Sequence, residues 1–360
     1  MGMGKSKMNI LRACAYIGTI TIRYGLTEIE ECAFFECRNL ETVIIPETVT
    51  KIGPKAFAYS GLKSIILPDG LTEIGEDAFR GCYTLENIVI PETVTKIGPH
   101  AFEVSGLKSI VLPYQPYQPY QPYQPYQPYQ PYQPYQPYQP YQPYQPYQPY
   151  QSKGLTKIDY GAFCRCSNLE TVVIPKSVTK INPEAFADSG LKSITLPHGL
   201  TEIGEGAFYG CHKLETVAIP ETVTKIGPGA FAYSGLKSIT LLDGRLTEIG
   251  KCAFFNCIYL ENVVIPNSIT EINPETFAYS GLKSIILPDG RLTEIREKAF
   301  YRCYNLKNVI IPETVTKIDS EAFRYSDLKS ITIPRGVKIG DNAFRNCDNL
   351  EVKHINLMKK

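Results

Sequence analysis

The 360-residue sequence has no tryptophan, only four histidines and almost no net charge. Its 37 Lys and Arg against 36 Asp and Glu create no overall field that would attract nucleic acid or an anionic membrane. No apolar run approaches the ~18 residues that cross a bilayer, so membrane insertion is not expected. The sequence also lacks a Gly-rich phosphate loop and a nucleophile elbow, and its histidines occupy unrelated positions. It predicts no catalytic residue, no cofactor and no metal site.

The first residues carry a weak leader-like pattern, in which basic residues precede an apolar stretch. Arg12 interrupts that stretch, and the segment from Thr19 to Ile22 already matches a strand of the repeat described below. We therefore interpret residues 1–18 as a degenerate N-terminal segment and not as a cleaved signal peptide.

The dominant feature is the recurrence of Ala-Phe, which places 13 of the 15 phenylalanines in one column. The step between successive members is nearly constant, except that it is much longer across a Tyr-Gln-Pro tract and slightly shorter at the end of the column. The column is Phe34, Phe57, Phe79, Phe102, Phe163, Phe186, Phe208, Phe231, Phe254, Phe277, Phe300, Phe323 and Phe344. Two sub-types alternate, so the repeating unit is a pair of turns of the chain, here called rungs.

Each rung contains a short strand followed by a break. Leu62, Ile65 and Leu67 form L-x-x-I-x-L, which predicts a strand with one buried face. Pro68 ends it, because proline has no amide hydrogen to continue a ladder. One rung buries too little apolar surface to fold alone, whereas stacked rungs share a continuous core.

A second short strand and a turn complete the rung. Val49 and Ile52 predict the strand, and Gly53 predicts a turn with positive φ after it. Pro54 suits the first position of a short helical turn that directs Phe57 inward.

The recurring motif IPxxVTxIGxxAFxxC…L resembles the BspA-like leucine-rich repeats of bacteria and parasitic protists. The resemblance covers roughly residues 19–355 apart from the tract. It implies a β-rich solenoid of the leucine-rich-repeat type, with a parallel sheet on one face and short helical turns. The solenoid is expected to have about 13 rungs, each of about 21–23 residues. The resemblance also implies adhesion at a cell surface, or binding of host proteins.

Three residues after each column phenylalanine, cysteine and serine alternate from rung to rung. Cysteines on alternate rungs should lie about 9–10 Å apart at a strand spacing of about 4.8 Å, too far for a disulfide. We interpret these seven cysteines as structural thiols. Cys32, Cys164 and Cys252 fall on variable positions and are expected to be exposed.

The position after the strand's leucine alternates in charge, as in Glu41, Lys63 and Glu86, and a column on the second strand does the same. Opposite charges on neighbouring rungs favour correct rung pairing, although each exposed pair contributes at most about 1 kcal/mol. The second column contains two runs of like charge, at Lys96, Lys157 and Lys180 and at Glu248, Glu271 and Glu294. These are either drift on a solvated face or a local feature for a partner.

The outward position between the two inward strand residues is apolar in most rungs. This stripe is either a consequence of β-propensity or a binding surface for protein. The candidate protein-binding residues are Ile44, Ile66, Val89, Val111, Val173, Thr195, Thr240, Val264, Ile286 and Ile310, in a column that also contains Ala218 and Thr332.

Residues 114–151 are a low-complexity tract of 13 Tyr-Gln units separated by proline. Proline at every third position favours polyproline II and predicts a disordered loop insertion without a fixed fold. Pro113 matches Pro68 and Gly154 matches Gly70, so the tract replaces a short turn. We therefore expect the rungs of residues 19–113 and of residues 152–360 to form one continuous stack. The tract is either a functionless expansion, a sticky aromatic arm, or a ligand for proline-recognition domains.

The repeats predict a non-enzymatic protein-binding scaffold. The resemblance implies that it is on the cell surface or secreted and adheres to host or matrix proteins, and we expect the sheet face to be the binding surface. The alternative is an intracellular interaction scaffold in the cytoplasm, which the weak leader and the odd total of 11 cysteines favour. Open solenoid ends also make end-to-end self-association an expectation.

Overall fold

The computed structural model describes residues 18–113 and 154–354, which form a parallel β-solenoid of about 13 turns. The expectations for residues 1–17, 114–153 and 355–360 lie outside the described residues. Each rung contributes one strand to a first sheet face and a two-residue strand to a second face. β-branched residues that alternate inward and outward form the first strand, and a Lys-Ile or Glu-Ile pair forms the second.

The first face consists of β1 (Thr19–Thr21), β3 (Thr42–Ile44), β5 (Ser64–Ile66), β7 (Asn87–Val89), β9 (Ser109–Val111), β11 (Thr171–Val173), β14 (Thr216–Ile219), β16 (Ser238–Leu241), β18 (Asn262–Val264), β20 (Ser284–Ile286), β22 (Asn308–Ile310), β24 (Ser330–Ile333) and β26 (Glu351–His354). The strands are parallel and their columns stay in register, as in Val43 opposite Ile65. Among the described rungs, the one containing residues 193–195 has no assigned strand on this face.

The second face consists of β2 (Glu28–Ile29), β4 (Lys51–Ile52), β6 (Glu73–Ile74), β8 (Lys96–Ile97), β10 (Lys157–Ile158), β12 (Lys180–Ile181), β13 (Glu202–Ile203), β15 (Lys225–Ile226), β17 (Glu248–Ile249), β19 (Glu271–Ile272), β21 (Glu294–Ile295), β23 (Lys317–Ile318) and β25 (Lys338–Ile339). Its strands form three parallel sheets, β2-β4-β6-β8, β10-β12-β13-β15-β17 and β19-β21-β23-β25. The isoleucine of each pair points inward, and it is buried in every rung except the last, where Ile339 is exposed.

The core is a continuous stack of the 13 column phenylalanines. Neighbouring ring centroids are 4.9–5.6 Å apart and the ring planes are within 13° of parallel. The rings from Phe57 to Phe323 are fully buried. The stack crosses the tract without a gap, because the rings of Phe102 and Phe163 are 5.5 Å apart.

The prediction of short helical turns is wrong. The described residues contain turns and no helix. Around Pro54, the amides of Lys55, Phe57 and Tyr59 donate to the carbonyls of the next rung at 2.8, 2.8 and 2.7 Å. Because these alternate amides donate to carbonyls of the next rung, they cannot form the hydrogen bonds of a helix. The local preference for a helical turn is overridden by stacking.

The positive φ expected at Gly53 is also wrong. Positive φ occurs two residues later, at Lys55 with φ 55°, and at the same place in other rungs. A Cβ on Gly53 would lie 2.7 Å from the carbonyl oxygen of Ile29. Glycine is therefore favoured here because neighbouring rungs approach closely, and not because of its φ.

The cysteine and serine column forms a buried hydrogen-bonded ladder. The Cys82 thiol donates to the carbonyl oxygen of Phe57 at 3.1 Å and lies 3.5 Å from the Ser60 hydroxyl. The same contacts recur at Cys166, Cys211, Cys257, Cys303 and Cys347. Burial raises the pKa of Cys82 to about 11, so this thiol is protonated at neutral pH. None of the ten cysteines of the described residues forms a disulfide bond.

The cysteines at variable positions are less exposed than the sequence predicts. Cys164 is buried, with 6% of its surface accessible, and Cys32 and Cys252 are half-buried. Cys164 directly follows Phe163 in the turn and lies in the wall of the groove described below.

The charge ladder of the first face pairs each glutamate rung with the lysine rung after it. Lys63 lies 2.7 Å from Glu41, and four further pairs have distances of 2.5–2.8 Å. Each bond joins the two rungs of one repeat unit. Lys307, which breaks the alternation, instead contacts Asp327, at a position where earlier rungs have glycine.

Strand pairing on the second face does not follow the charge column alone, because the like-charge steps Lys157 to Lys180, Glu271 to Glu294 and Lys317 to Lys338 are paired. Every step between opposite charges is hydrogen-bonded as a strand pair, as in Glu73 opposite Lys96. The two boundaries between second-face sheets fall at like-charge steps, Lys96 to Lys157 and Glu248 to Glu271. Arg296 compensates the acidic run, because it lies 2.6 Å from Glu271 and 2.7 Å from Glu294.

Candidate functional site

The predicted protein-binding stripe lies on the outer surface of the first face. All ten of its residues are exposed, with 83% of Ile66 and 81% of Val89 accessible. The inward neighbours on the same strands, such as Ile65, are buried. The period-2 alternation of a strand thus separates one apolar column for the core from another at the surface. A row of exposed β-branched side chains of this length is typical of an interaction surface.

The stripe crosses the position of the tract. β9 pairs directly with β11, which places Val111 opposite Val173. The amide of Glu170 donates to the carbonyl of Lys108 at 2.9 Å across the same step. The rungs on either side of the tract are therefore neighbours, and the exposed column continues between them.

A hollow of about 310 Å³ lies beside the stripe, lined by Leu242, Asp243, Val264, Ile286 and Pro288 among others. Leu242 is 44% exposed and occupies the position where the rung with Pro288 has proline. The Asp243 carboxylate accepts hydrogen bonds from the Asn267 amide and side chain at 2.8 and 3.0 Å, which fixes one wall. An apolar floor with a few fixed polar groups can hold one side chain of a protein partner.

The turn after the second strand carries a surface that the sequence analysis missed, here called the aromatic ladder. Neighbouring ring centroids are 5.3–5.7 Å apart along its six rungs. Its members are Tyr209, Tyr233, Phe255, Tyr279, Tyr301 and Tyr325. They are partly accessible, and the rings of Tyr209 and Tyr233 are 41% and 37% exposed.

Arginines lie on the C-terminal part of the aromatic ladder. The guanidinium of Arg302 is 5.4, 5.5 and 5.2 Å from the ring centroids of Tyr279, Tyr301 and Tyr325. Arg324 lies 4.8 Å from the ring of Tyr325. Such cation–π contacts hold the guanidinium groups against the ring faces. Tyrosine and arginine are also enriched among the residues that contribute most of the binding energy in protein interfaces.

The same turns carry an ionic cluster nearer the N-terminus, formed by Asp77, Arg80, His100 and Glu103. Arg80 is 3.1 Å from both Asp77 and Glu103, and the Nδ1 atom of His100 is 2.7 Å from Glu103. Asp77 and Glu103 are buried, with 6% and 4% of their surfaces accessible. A buried carboxylate requires such partners, because its desolvation is costly.

A groove of about 480 Å³ follows the ionic cluster along the stack and runs beside the first rungs of the aromatic ladder. It lies where Gly206 and Gly229 replace the larger side chains of other rungs, and Cys164, Tyr209 and Cys252 line it. Burial, followed by the charge of Glu103, raises the pKa of Cys164 to about 12. This thiol is therefore not an activated nucleophile at neutral pH.

Neither a metal centre nor a membrane-spanning helix is found where the structure describes the chain. Residues 18–113 and 154–354 contain no group of three or more His, Cys, Asp or Glu side chains arranged to hold a metal ion. Over the same residues, no helix is long and apolar enough to cross a bilayer.

Parallel two-strand rungs around a phenylalanine stack define a leucine-rich-repeat solenoid with an exposed sheet face. The sequence profile of the BspA type leucine rich repeat region matches residues 7–118, 150–245 and 236–351. The chain therefore belongs to the BspA-type leucine-rich-repeat family, which suggests a protein-binding scaffold. No match was found among curated proteins.

Solved structures of bacterial leucine-rich-repeat proteins share this fold. A leucine-rich repeat protein from Bacteroides ovatus is 27% identical with a TM-score of 0.71, over 94% of this chain and 92% of that chain. One from Eubacterium ventriosum is 26% identical with a TM-score of 0.55, over 91% and 88%. A leucine rich cell surface protein from Faecalibacterium prausnitzii is 25% identical with a TM-score of 0.50, over 95% and 89%.

Proposed function

We propose that this chain is a non-enzymatic adhesion scaffold, secreted or displayed on the cell surface, that captures host or matrix proteins through the first sheet face. Residues 19–113 and 152–360 act as one continuous stack in this proposal, and the stripe from Ile44 to Ile310 is one binding surface. The similarity to a protein described as a cell surface protein supports the location.

The observation that carries the proposal is the exposed apolar stripe with the hollow beside it. Isoleucine and valine side chains that are 52–83% exposed are costly in water, and a partner that covers them gains about 25 cal/mol per Å² buried. The hollow at Leu242, Val264 and Ile286 offers a place for an anchoring side chain.

The test is the double substitution Ile66→Glu with Ile286→Glu. We expect it to abolish capture of matrix proteins coated on a surface, since it places charge in the apolar stripe. The matched control is Thr50→Glu with Thr270→Glu, which adds the same charge to exposed positions beside the second-face strands. Undiminished capture by the stripe variant, with an unchanged circular dichroism spectrum, would exclude the stripe.

The alternative is an intracellular protein-interaction scaffold, and it is favoured because the ten cysteines of the described residues form no disulfide bond. Protease treatment of intact cells separates the two locations. A displayed chain is removed by the protease and a cytoplasmic chain is spared.

End-to-end association of chains is a further expectation. Ile339 and Val352 on the last described rungs are 52% and 45% exposed, whereas the equivalent Ile318 and Ile331 one rung earlier are fully buried. Ile339→Lys with Val352→Lys should lower the sedimenting mass if this end makes contact, and an unchanged mass would argue against it.

A further inference from the structure

The groove at Gly206 and Gly229 takes no part in the proposed adhesion, because it lies in the turns and not on the first sheet face. Its volume is about 480 Å³, and its lining comes from five neighbouring rungs, the first with Phe163 and the last with Phe254. The ring of Tyr209, at a position 41% exposed, is part of that lining. A groove of this size can hold a side chain of another protein.

Three carboxylates line the groove without a counter-ion. Glu184 and Asp188 flank the column phenylalanine of their rung in sequence, and Glu205 belongs to the next rung. All three residues are exposed, and none forms an ion pair with another residue of the described parts of the chain. The middle of the groove therefore has negative charge that the folded chain leaves uncompensated.

Two basic side chains line the ends of the groove. Arg165 belongs to the first of the five rungs, and Lys251 belongs to the last. Lys251 lies 3.9 Å from Glu275, which is outside the lining of the groove. The charge along the groove is thus positive at both ends and negative in the middle.

Two other turns show what this chain places beside such a carboxylate. Asp77 comes two residues before a column phenylalanine, and Arg80, directly after that phenylalanine, lies 3.1 Å from it. Glu321 and Arg324 occupy the same two positions in a later rung and are also 3.1 Å apart. In both turns, an acidic residue before the phenylalanine is paired with an arginine after it.

The groove has the acidic residue of this pattern but lacks the arginine. Glu184 occupies the acidic position, and Ala187 stands at the position of Arg80. Glu275 likewise has an alanine in place of the arginine, but Lys251 supplies the cation there. The groove is therefore the space that an arginine of the chain itself fills in other rungs.

The lining also suits a guanidinium group better than an ammonium group. A guanidinium is planar and weakly hydrated, binds carboxylates through two parallel N–H groups and stacks on aromatic rings. Tyr209 offers such a ring in the groove, as Tyr301 does for Arg302, whose guanidinium is 5.5 Å from the ring centroid. Cys164 has 6% of its surface accessible, and its thiol, without a hydrogen-bond partner among the described residues, can accept a further N–H.

We propose that the groove binds an arginine side chain of a partner protein. The guanidinium lies among the carboxylates of Glu184, Asp188 and Glu205, against the ring of Tyr209. Positive charge at both ends of the groove disfavours further basic residues beside that arginine, so the recognised segment carries one arginine between uncharged residues. The chain then has two separate binding surfaces, the apolar stripe of the first face and this groove.

The probe is the peptide fluorescein-Gly-Ser-Ala-Val-Arg-Val-Ala-Ser-Gly-amide, measured by fluorescence anisotropy against the full chain. Matched peptides carry lysine or glutamine in place of the arginine. We expect severalfold weaker binding of the lysine peptide, which lacks the fork of N–H groups, and at least tenfold weaker binding of the uncharged glutamine peptide. A lysine peptide that binds as well as the arginine peptide would overturn the assignment to guanidinium, and equal binding of all three would overturn a charge-selective site.

Arginine amide separates a protein segment from a small guanidinium compound as the occupant. Added at the same concentration as unlabelled arginine peptide, it should displace the labelled peptide at least tenfold less, because it lacks the flanking residues. Equal displacement by the two compounds would overturn the assignment to a protein partner.

The double substitution Asp188→Asn with Glu205→Gln removes two charges and keeps the shape of the groove. We expect it to weaken binding of the arginine peptide at least tenfold. The matched control is Glu221→Gln with Glu313→Gln, which removes two exposed carboxylates outside the groove and should leave binding unchanged.

Ala187→Arg gives the chain an arginine at the position of Arg80, next to Glu184. We expect it to abolish binding of the arginine peptide and to raise the urea midpoint, because the new arginine neutralises the carboxylates of the groove. Undiminished binding by the Asp188→Asn, Glu205→Gln variant would overturn the proposal, whether or not Ala187→Arg folds.

The sheet-face variant Ile66→Glu with Ile286→Glu separates this site from the proposed adhesion. It changes only the first face, so it should bind the arginine peptide as the native chain does. Loss of peptide binding in this variant, with an unchanged circular dichroism spectrum, would place the site on the first face and overturn the groove.

Discussion

The turns at residues 77–103 and those at residues 209–325 cover the same phenylalanine stack in two different ways. In the first region the cover is a buried ionic cluster, in which Glu103 joins Arg80 and His100. In the second it is the aromatic ladder, whose rings contact one another every rung. The groove at Gly206 and Gly229 marks the change between them.

This difference separates what the solenoid requires from what it permits. The inner layer is the same in both regions, with stacked phenylalanines and a hydrogen-bonded thiol such as Cys82 or Cys257. The outer layer of the turn has to cover the core, but charge pairs and aromatic rings both achieve that. The side chains of this outer layer can therefore differ from one part of the stack to another with little loss of stability.

The largest effects should be equal in the two regions. Phe79→Ala and Phe254→Ala each remove a fully buried ring, and each should cost about 3–5 kcal/mol of unfolding free energy. Urea denaturation followed by circular dichroism measures this, with the two variants as each other's control. A large difference between them would show that the outer layer, and not the stack, governs local stability.

Glu103→Ala should show how much the ionic cluster contributes to the stability of the first region. It leaves the part-buried Arg80 and His100 without one shared carboxylate, which we expect to cost about 2–3 kcal/mol. The matched control is Glu205→Ala, an exposed carboxylate in an equivalent turn, with little expected change. Equal urea midpoints for the two variants would mean that the cluster is dispensable.

The pH dependence should again be common to both regions. Burial raises the pKa of Cys82 and Cys257 from 9.0 to about 11. The contribution of these two thiols to the free energy of unfolding is fully present below pH 9 and is lost as the pH rises towards 11. The reason is that a thiol ionises at a lower pH in the unfolded chain than in the folded one. Cys82→Ser and Cys257→Ser should each remove on the order of 1–3 kcal/mol of this alkaline destabilisation, seen as a shallower loss of Tm between pH 9 and 11. A shallower slope for only one variant would contradict a shared inner layer.

The smallest effect is expected in the aromatic ladder. Phe255→Ala removes a half-buried ring that contacts Tyr233 at 5.5 Å and Tyr279 at 5.3 Å, and should cost about 1–2 kcal/mol. Tyr83→Ala, at a position 63% exposed, is the control and should change the urea midpoint very little. A cost as large as that of Phe254→Ala would make the ladder part of the core and weaken its assignment as a binding surface.

The sequence predicted the inner layer and the sheet face because both follow simple periods. A nearly constant repeat length fixes which rungs are neighbours, and alternation along a strand separates buried Ile65 from exposed Ile66. The leucine-rich-repeat solenoid and its BspA-type family were confirmed on that basis. The role of the stripe in binding stays a prediction.

The turns were less predictable, because their conformation depends on neighbouring rungs. Pro54 and Gly53 indicated a helical turn and a positive φ, but inter-rung hydrogen bonds and close backbone approach decide the outcome. The aromatic ladder was missed because its rings alternate between two columns, as with Tyr209 and Tyr233. Comparing the two columns together would have revealed it.

The pairing of unlike rungs has a consequence for how such a gene can change length. Gain or loss of one whole pair of rungs keeps the column cysteines against serines, as in Cys82 and Ser60, and keeps the Glu-Lys pairs of the first face, as in Glu41 and Lys63. Gain of a single rung would place two thiol rungs at about 4.8 Å, within the roughly 4.4–6.8 Å that a disulfide spans, and two like charges side by side. Insertion or deletion of a whole pair of rungs therefore preserves more of the inter-rung contacts than insertion or deletion of a single rung.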